Sequence, residues 1–478
     1  MDQTTNAHAA HEDGIAAALA NFAIGMTLDD VPDEVRQRAK YLMLDALGLA
    51  YATKRYPFTK VTLAAMQSLG SGSSTVIGHG RLLQARDAMV MNGLLVHGLD
   101  FDDTHMGGVI HATASLFPCT LGTAELQGAS GAQVLAAYIA GVEVGARLTS
   151  AGKGGFHEVG FNPTGVIGTF ASAVAASRLA GLTPQQAWMA QGIALSMASG
   201  SQAFLQGGAW SKRIQPGWAA AAGMTAATLA KHGFIGPKAP YEGRFGLFTS
   251  YLGETRAAAD LALATSELGQ TWQTMEVAVK PIPACVFAHA AIDAAIMLHG
   301  QWQRERDERG AAAIEAVKRV RVKVPREVVK TVCEPVEAKR RPANAYEAQF
   351  SIPYVVATGL LKGAFTLREL DDDAVADPQV LALATKVDYE VDPDTTFPRH
   401  HTGEVIVEFA DGRRLAHRES VNRGSADRPL GNDEVAEKYW SNVSGVLSPA
   451  QASRIHDAVL AIDRQPLGDL LKLLAEPV

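Results

Sequence analysis

From Ile15 to about Leu263 nearly every segment repeats apolar residues at helical spacing, and alanine and glycine dominate those segments. That pattern limits the fold before any motif is considered. Apolar residues three and four positions apart give each helix a face that must be buried, and small side chains let helix axes approach closely. The chain thus predicts a compact, many-helix domain. Asp33 to about Tyr51, Arg86–Leu95, Ala112–Leu126, Gln133–Leu148, Gly165–Leu179, Thr183–Ser199 and Trp218–His232 read as its helices. Thr183 followed by Pro184 reads as an N-cap with proline in the first turn.

The rhythm changes near Met275. From Val320 the run to Val324 alternates apolar and charged residues, as do Lys386–Val391 and Glu404–Phe409, which predicts strands with one polar face. Asp411-Gly412 reads as a hairpin turn returning through Arg414–His417. Tyr346–Leu361 reads as a helix despite Pro353, and helical rhythm resumes at Asn432–Trp440 and Pro449–Leu471. The expected fold is mainly α with an α+β part. Residues 1–274 and 423–478 form a helical domain from both chain ends, and residues 275–422 form a smaller inserted α+β lid domain. Residues 1–12 read as a loose tail.

With 478 residues, 47% of them hydrophobic and 19% charged, the chain suits a globular protein with a large core. A net charge of −7 offers no footprint for nucleic acid or an anionic membrane. Glu143, Arg178 and Lys231 interrupt the apolar stretches, so none reads as a membrane span, and the N-terminus lacks the basic and apolar regions of a signal peptide. Cys119, Cys285 and Cys333 are too scattered for a disulfide framework or a cysteine zinc site. These features fit a reducing, cytoplasmic setting. No Gly-x-Gly-x-x-Gly, phosphate-loop, His-Glu-x-x-His or calcium-loop pattern occurs. Asp100, Asp102, Asp103 and His105 lack strict ligand spacing, so no metal or cofactor is expected.

Within this apolar background the stretch His97 to His111 holds three histidines and three aspartates between two apolar helices. Burying so many ionisable groups is costly unless they are paired or used. Helix capping would occupy one or two of them. Four further clusters stand out. His157-Glu158 and Asn162-Pro163-Thr164 precede an alanine-rich helix, as caps or as ligands. Lys212-Arg213 follow Gly207-Gly208 and precede another helix, as an anion cradle or a solvated loop. Arg244 sits among glycines and aromatics. Lys280, Cys285, His289 and Asp293 come last, the final three at i, i+4 and i+8. They form either a nucleophilic pair on one helix face or a buried thiol beside a histidine bonded to Asp293. Acids and bases (Asp100, His105, His111, His157) with cations (Lys212, Arg213, Arg244, Lys280) suit proton transfer on a small polyanion. Removing a proton beside a carboxylate needs a placed base and a positive group for the charge that develops. Loss of water, loss of carbon dioxide or return of the proton to the other face gives dehydratase, decarboxylase or epimerase.

Several runs resemble the MmgE/PrpD family of 2-methylcitrate dehydratases, cis-aconitate decarboxylases and iminodisuccinate epimerases. They are His97-Gly-Leu-Asp100-Phe-Asp102-Asp103-Thr104, Phe161-Asn162-Pro-Thr-Gly-Val-Ile-Gly-Thr169, Lys212 with the following helix and Lys231-His232-Gly233, Tyr241-Glu-Gly-Arg244-Phe-Gly246, and Glu347-Ala-Gln-Phe350-Ser351-Ile-Pro-Tyr354. The resemblance covers nearly the whole chain. It implies a helical domain plus a smaller α+β lid, a homodimer, no required metal or organic cofactor, and an active site between the domains. It places Asp100, Thr104, Lys212 and His111 on catalytic positions, with His111 one residue farther from Thr104 than in the decarboxylases. Arg213, Asn162, His157, Cys285, His289, Lys280 and Arg244 are expected to bind substrate.

Two departures matter. Asn162 stands where the decarboxylases carry a histidine, and Cys285 where they carry another. Asparagine cannot move a proton at neutral pH. That argues against cis-aconitate decarboxylation by the same residue set and leaves dehydration or epimerisation, with His157 nearby as a substitute. The expected activity is a cytoplasmic dehydratase acting on a polycarboxylate such as 2-methylcitrate or citrate. An isomerase, a decarboxylase or a non-catalytic carboxylate binder are the alternatives.

Overall fold

The computed structural model describes residues 14–205, 209–425 and 427–478. The tail expected at residues 1–12 and the pair Gly207-Gly208 lie outside the described residues. The chain is mainly α with a smaller α+β part. It divides into two compact units, Met1–Val279 with Gly431–Val478, and Lys280–Leu430.

In the first unit the Pro163–Leu179 helix is buried along its whole length except Arg178. It packs against the helices Gly131–Ala151, Ala112–Gln127 and Ser211–Lys231. A helix apolar all round needs neighbours all round, and these supply them. The Gly131–Ala151 helix is long and apolar enough to cross a membrane, yet it is enclosed by the domain and carries the buried pair Glu143–Arg147 at 2.7 Å. Its start is set by a capping box in which the Ser130 hydroxyl accepts from Gln133 N.

The helices Ala85–His97 and Ser211–Lys231 cross in backbone contact. A Cβ on Gly93 would lie 2.3 Å from Gly217 Cα, and one on Gly217 would lie 2.3 Å from Val90 O. Only glycine fits at either position. The last helices of the chain return to this unit. Asn432–Val443 packs on Asp33–Thr53, where buried Lys438 pairs with Asp45 at 2.8 Å and donates to the Phe101 carbonyl at 2.8 Å.

The second unit holds a four-stranded sheet in the order Val387–Val391, Val317–Val324, Gly403–Phe409, Arg414–Glu419. The first pair is parallel and the others antiparallel. Val320, Val322, Val324, Val405 and Val407 are buried on one face. On the other, Arg321 bridges Glu390 at 3.2 Å and Glu408 at 2.7 Å. The expected hairpin forms, with Glu408 opposite Arg414 and Gly412 at φ +89°. The His289–Arg309 helix packs on the two antiparallel strands Gly403–Phe409 and Arg414–Glu419 and on the Ile352–Lys362 helix.

Several boundaries differ from those read in the sequence. The helix expected at Trp218 starts at Ser211 and runs through Pro216. Tertiary packing outweighs the one backbone bond that proline removes. The Thr183–Ser199 segment is helical only over Pro184–Ala194, because the chain must turn to pair Ser201 with Phe161. Tyr346–Leu361 is two helices, Ala345–Gln349 and Ile352–Lys362. The Ser351 hydroxyl caps the second at Tyr354 N, with Pro353 in its first turn. Pro449–Leu471 is likewise broken into Pro449–Leu460 and Leu467–Leu474.

Candidate active site

The polar stretch links the end of the Ala85–His97 helix to the start of Ala112–Gln127. Two non-glycine residues in it have left-handed backbone, Asp100 at φ +52° and Val109 at φ +57°. Such conformations are costly away from glycine and persist where surrounding structure enforces them. Thr104-His105 pair antiparallel with Val277-Ala278, and Lys438 holds the Phe101 carbonyl, so the loop is fixed from both sides.

The Asp100 carboxylate lies between two groups. Its Oδ2 is 2.7 Å from Lys212 Nζ and its Oδ1 is 3.9 Å from His111 Nε2. The Asp100 and Lys212 side chains remain 35% and 23% exposed, so a solute can reach them, whereas His111 is buried. Lys212 lies in the first turn of its helix, not in a preceding loop as the sequence suggested. A cation there opposes the helix dipole, and the Asp100 carboxylate offsets it.

His111 is held from behind. Its backbone N donates to Thr164 Oγ1 at 3.1 Å, and its Nδ1 lies 2.8 Å from the Asp103 carbonyl and 3.3 Å from Thr104 Oγ1. A carbonyl only accepts, so Nδ1 carries the hydrogen and Nε2 presents a lone pair toward Asp100. Asp102 Oδ1 is 3.5 Å from the same Nδ1, and Asp102 Oδ2 accepts from His97 Nδ1 at 2.7 Å. The rings of His97 and His111 meet edge to face at 4.8 Å.

Asp103 serves the helix start instead: its carboxylate accepts from the Thr113 backbone N at 3.4 Å and from the Thr113 hydroxyl. Burial pushes it up to about 7, against the Thr113 bonds. His105 bonds Gln273 Oε1 at 3.0 Å, and burial lowers it to about 4. It is a neutral packing residue rather than an acid or base.

The remaining candidates fall in different places. Arg213 turns away from Lys212, with its Nε on the Gly98 carbonyl at 2.8 Å and its guanidinium 4.6 Å above the Phe58 ring. Asn162 caps the Pro163–Leu179 helix through Thr164 N, and its Nδ2 donates to Gln215 Oε1 at 2.7 Å, so both polar atoms are engaged. His157 is half-buried. Burial and then the Lys212 charge lower its pKa, which keeps it neutral and places it within electrostatic reach of Lys212. Arg244 is exposed and lies over Phe245.

Lys280, Cys285 and His289 belong to the second unit. Lys280 and Cys285 are half-buried. Cys285, His289 and Asp293 do not share a helix face, because the helix begins at His289 and Cys285 precedes it. Nor is His289 bonded to Asp293. Its Nε2 donates to the Ala284 carbonyl at 3.0 Å, while Asp293 pairs with Arg423 at 3.2 Å. Burial drives His289 down to about 3.

Among the described residues, His97, Asp100, Asp102 and His111 offer ligand atoms within 4.8 Å of one another. Here Asp100 faces the Lys212 ammonium and Asp102 faces the His97 N–H, so each carboxylate already has a positive or donor partner. This donor set reads as an acid–base relay.

Residues 17–260 match the model of the MmgE/PrpD N-terminal domain, and residues 282–464 match that of the MmgE/PrpD C-terminal domain. The chain belongs to the MmgE/PrpD family. A cis-aconitate decarboxylase-like protein of Aspergillus oryzae is 29% identical to it, covering 97% of both chains. The cis-aconitate decarboxylase of Homo sapiens is also 29% identical, covering 91% of this chain and 89% of its own. A 2-methylcitrate dehydratase of Cupriavidus necator is 26% identical over 40% of each chain. The C-terminal MmgE/PrpD match runs past the compact second unit and takes in the Asn432–Val443 helix, whose Lys438 braces the polar loop of the first.

Reading the sequence gave His97 no role and set Asp102, with Asp103 and His105, behind the substrate-facing Asp100, Thr104 and His111. Gln215 was missed, and Thr164, read only as part of a cap or ligand cluster, instead supports His111 by accepting from its backbone N. The His97-to-Asp102 spacing was the available signal, but only the turn at Gly98 brings the two side chains together.

Proposed function

We propose that this MmgE/PrpD protein is a lyase that moves protons on a small di- or tricarboxylate without a cofactor, and that its reaction is dehydration of a hydroxy acid such as citrate or 2-methylcitrate. One observation carries the reading: the solvent-reachable Lys212 ammonium pairs with Asp100, and the lone-pair nitrogen of His111 lies 3.9 Å from the other Asp100 oxygen, so a cation and a base flank one point. Lys212 binds a substrate carboxylate and holds the negative charge that develops when the adjacent C–H proton leaves. His111 Nε2, with Asp100 beside it, takes that proton. The electron pair then forms the carbon–carbon double bond as the neighbouring C–O bond breaks, and the departing hydroxide takes the proton that His111 carries and leaves as water, which returns His111 to its neutral form. Thr104 orients the loop end against His111. His157, neutral and near Lys212, is a second proton carrier.

Decarboxylation is the second reading, favoured by relatives of that name along nearly the whole chain. It requires an acid at the carbon that loses carbon dioxide, and Asn162 cannot supply one. Incubation with citrate, 2-methylcitrate, cis-aconitate and iminodisuccinate in deuterium oxide separates these readings. Water loss from a hydroxy acid supports dehydration. Carbon dioxide from cis-aconitate replaces it with decarboxylation. Solvent exchange with inversion and no loss of water makes it an epimerase. No turnover of any of the four leaves a carboxylate-binding protein.

A further inference from the structure

His111 has two faces. Nε2 looks toward Asp100, and Nδ1 looks into the protein toward the Asp103 carbonyl, Thr104 Oγ1 and Asp102 Oδ1 at 2.8, 3.3 and 3.5 Å. Of these three only Asp102 carries a charge, and its side chain is 2% exposed. A buried carboxylate is costly without partners. Its other oxygen is held by His97 Nδ1 at 2.7 Å. Other charged groups lie around it, and the buried Lys438 ammonium is within electrostatic reach of it. Lys438 and Asp45, on the Asn432–Val443 and Asp33–Thr53 helices, bind each other at 2.8 Å. Arg38 interacts with Asp103 and Asp45, and Asp100 pairs with Lys212 while its other oxygen lies 3.9 Å from His111 Nε2. Asp102 is therefore placed beside the positive charge that forms when His111 takes a proton.

We infer that Asp102, held by His97, is the positioning residue for His111: beside the Asp103 carbonyl that accepts from Nδ1, it favours the hydrogen on Nδ1 and stabilises the imidazolium formed when Nε2 takes a proton. The proton leaves the substrate C–H bond for Nε2, the bonding pair stays on the substrate beside the carboxylate that Lys212 holds, and Asp102 remains ionised throughout. The role matches the way a buried carboxylate orients the histidine of a hydrolytic triad. It rests on the proposed function for the substrate proton, but not for the ring geometry.

The test is nitrogen-15 NMR of histidine-labelled intact protein, with the His111 signal assigned by its loss in His111→Ala. The expected wild-type tautomer has hydrogen on Nδ1. In Asp102→Asn the His111 pKa falls by about one unit or more, because the charge favouring the imidazolium is gone. His97→Gln, which keeps an N–H donor on Asp102, holds the His111 pKa within about half a unit of wild type. With a substrate in hand, Asp102→Asn lowers kcat about 100-fold or more and shifts the acidic limb of its pH profile, with KM little changed. An Nε2–H tautomer in the wild-type protein, or an unchanged His111 pKa in Asp102→Asn, overturns the inference. The tautomer measurement needs no variant of Asp102 to fold. Undiminished turnover by His111→Ala would instead remove the proposed function and leave the NMR result standing.

Discussion

Lys212 and Asp100 carry the sharpest expectations. Lys212→Ala removes the cation at the reacting carboxylate and is expected to lower kcat/KM about 100- to 1,000-fold, the usual loss for one charge-stabilising donor. The pair is partly exposed, so the thermal midpoint should hardly move, and a steady-state assay beside a melting curve checks both. Asp100→Asn separates charge from shape. Asparagine accepts left-handed backbone as readily as aspartate, so the +52° φ is kept while the link between Lys212 and His111 loses its charge. Activity should fall at least tenfold with folding intact; a wild-type rate would remove Asp100 from the site. Arg213 shows how closely role depends on phase. It adjoins Lys212 in sequence, but successive helical residues lie about 100° apart, and its guanidinium stacks on Phe58 instead.

Helix crossings place these side chains. Asp100 follows the Ala85–His97 helix and Lys212 opens Ser211–Lys231, and the two helices touch at Gly93 and Gly217. Gly93→Ala puts a Cβ against backbone, which cannot move as a side chain can. The expected cost is roughly 1–3 kcal/mol in urea unfolding. A fall of more than tenfold in kcat/KM should accompany it, since a small displacement of reacting groups is enough. Full activity with unchanged stability would show that the crossing does not set the ion pair. Asn162 belongs with the supports. Asn162→Ala loses a cap and the bond to Gln215, for about 1–2 kcal/mol.

Across the molecule, buried neutral histidines govern the response to acid. His105 in the first unit and His401 in the second are lowered to about 4, and His289 to about 3, all by burial. Unfolded, each titrates near 6.5. Between those values the unfolded chain binds more protons, so their contribution is complete above pH 6.5 and is lost as pH falls toward 4. Asp103, raised to about 7, acts in the opposite sense: its burial destabilises the fold increasingly as pH rises from 4 to 7. Urea unfolding at pH 7.5 and 5.0 should show a net loss at the lower pH. His105→Gln, which keeps a partner for Gln273, should reduce that loss by about 2 kcal/mol. Equal pH dependence of the two proteins would show that His105 is not neutral in the fold.

The mainly α character, the strands between Val320 and His417 and the polar stretch from His97 to His111 were legible in the sequence, because periodicity and local composition report which faces need burial. The family was legible too, from runs such as Asp100-Phe-Asp102-Asp103-Thr104. The contested helix boundaries were not, since Pro216 and Pro353 each permit a break or a continuation and packing chooses between them. Nor was the division of labour among the acids. Asp100, Asp102 and Asp103 are neighbours of one chemistry, yet Asp100 meets Lys212, Asp102 meets His97 and Asp103 caps Thr113. A left-handed turn at Asp100 and three converging helices separate them, and a sequence records neither the direction of a side chain nor the partner it reaches from a hundred residues away.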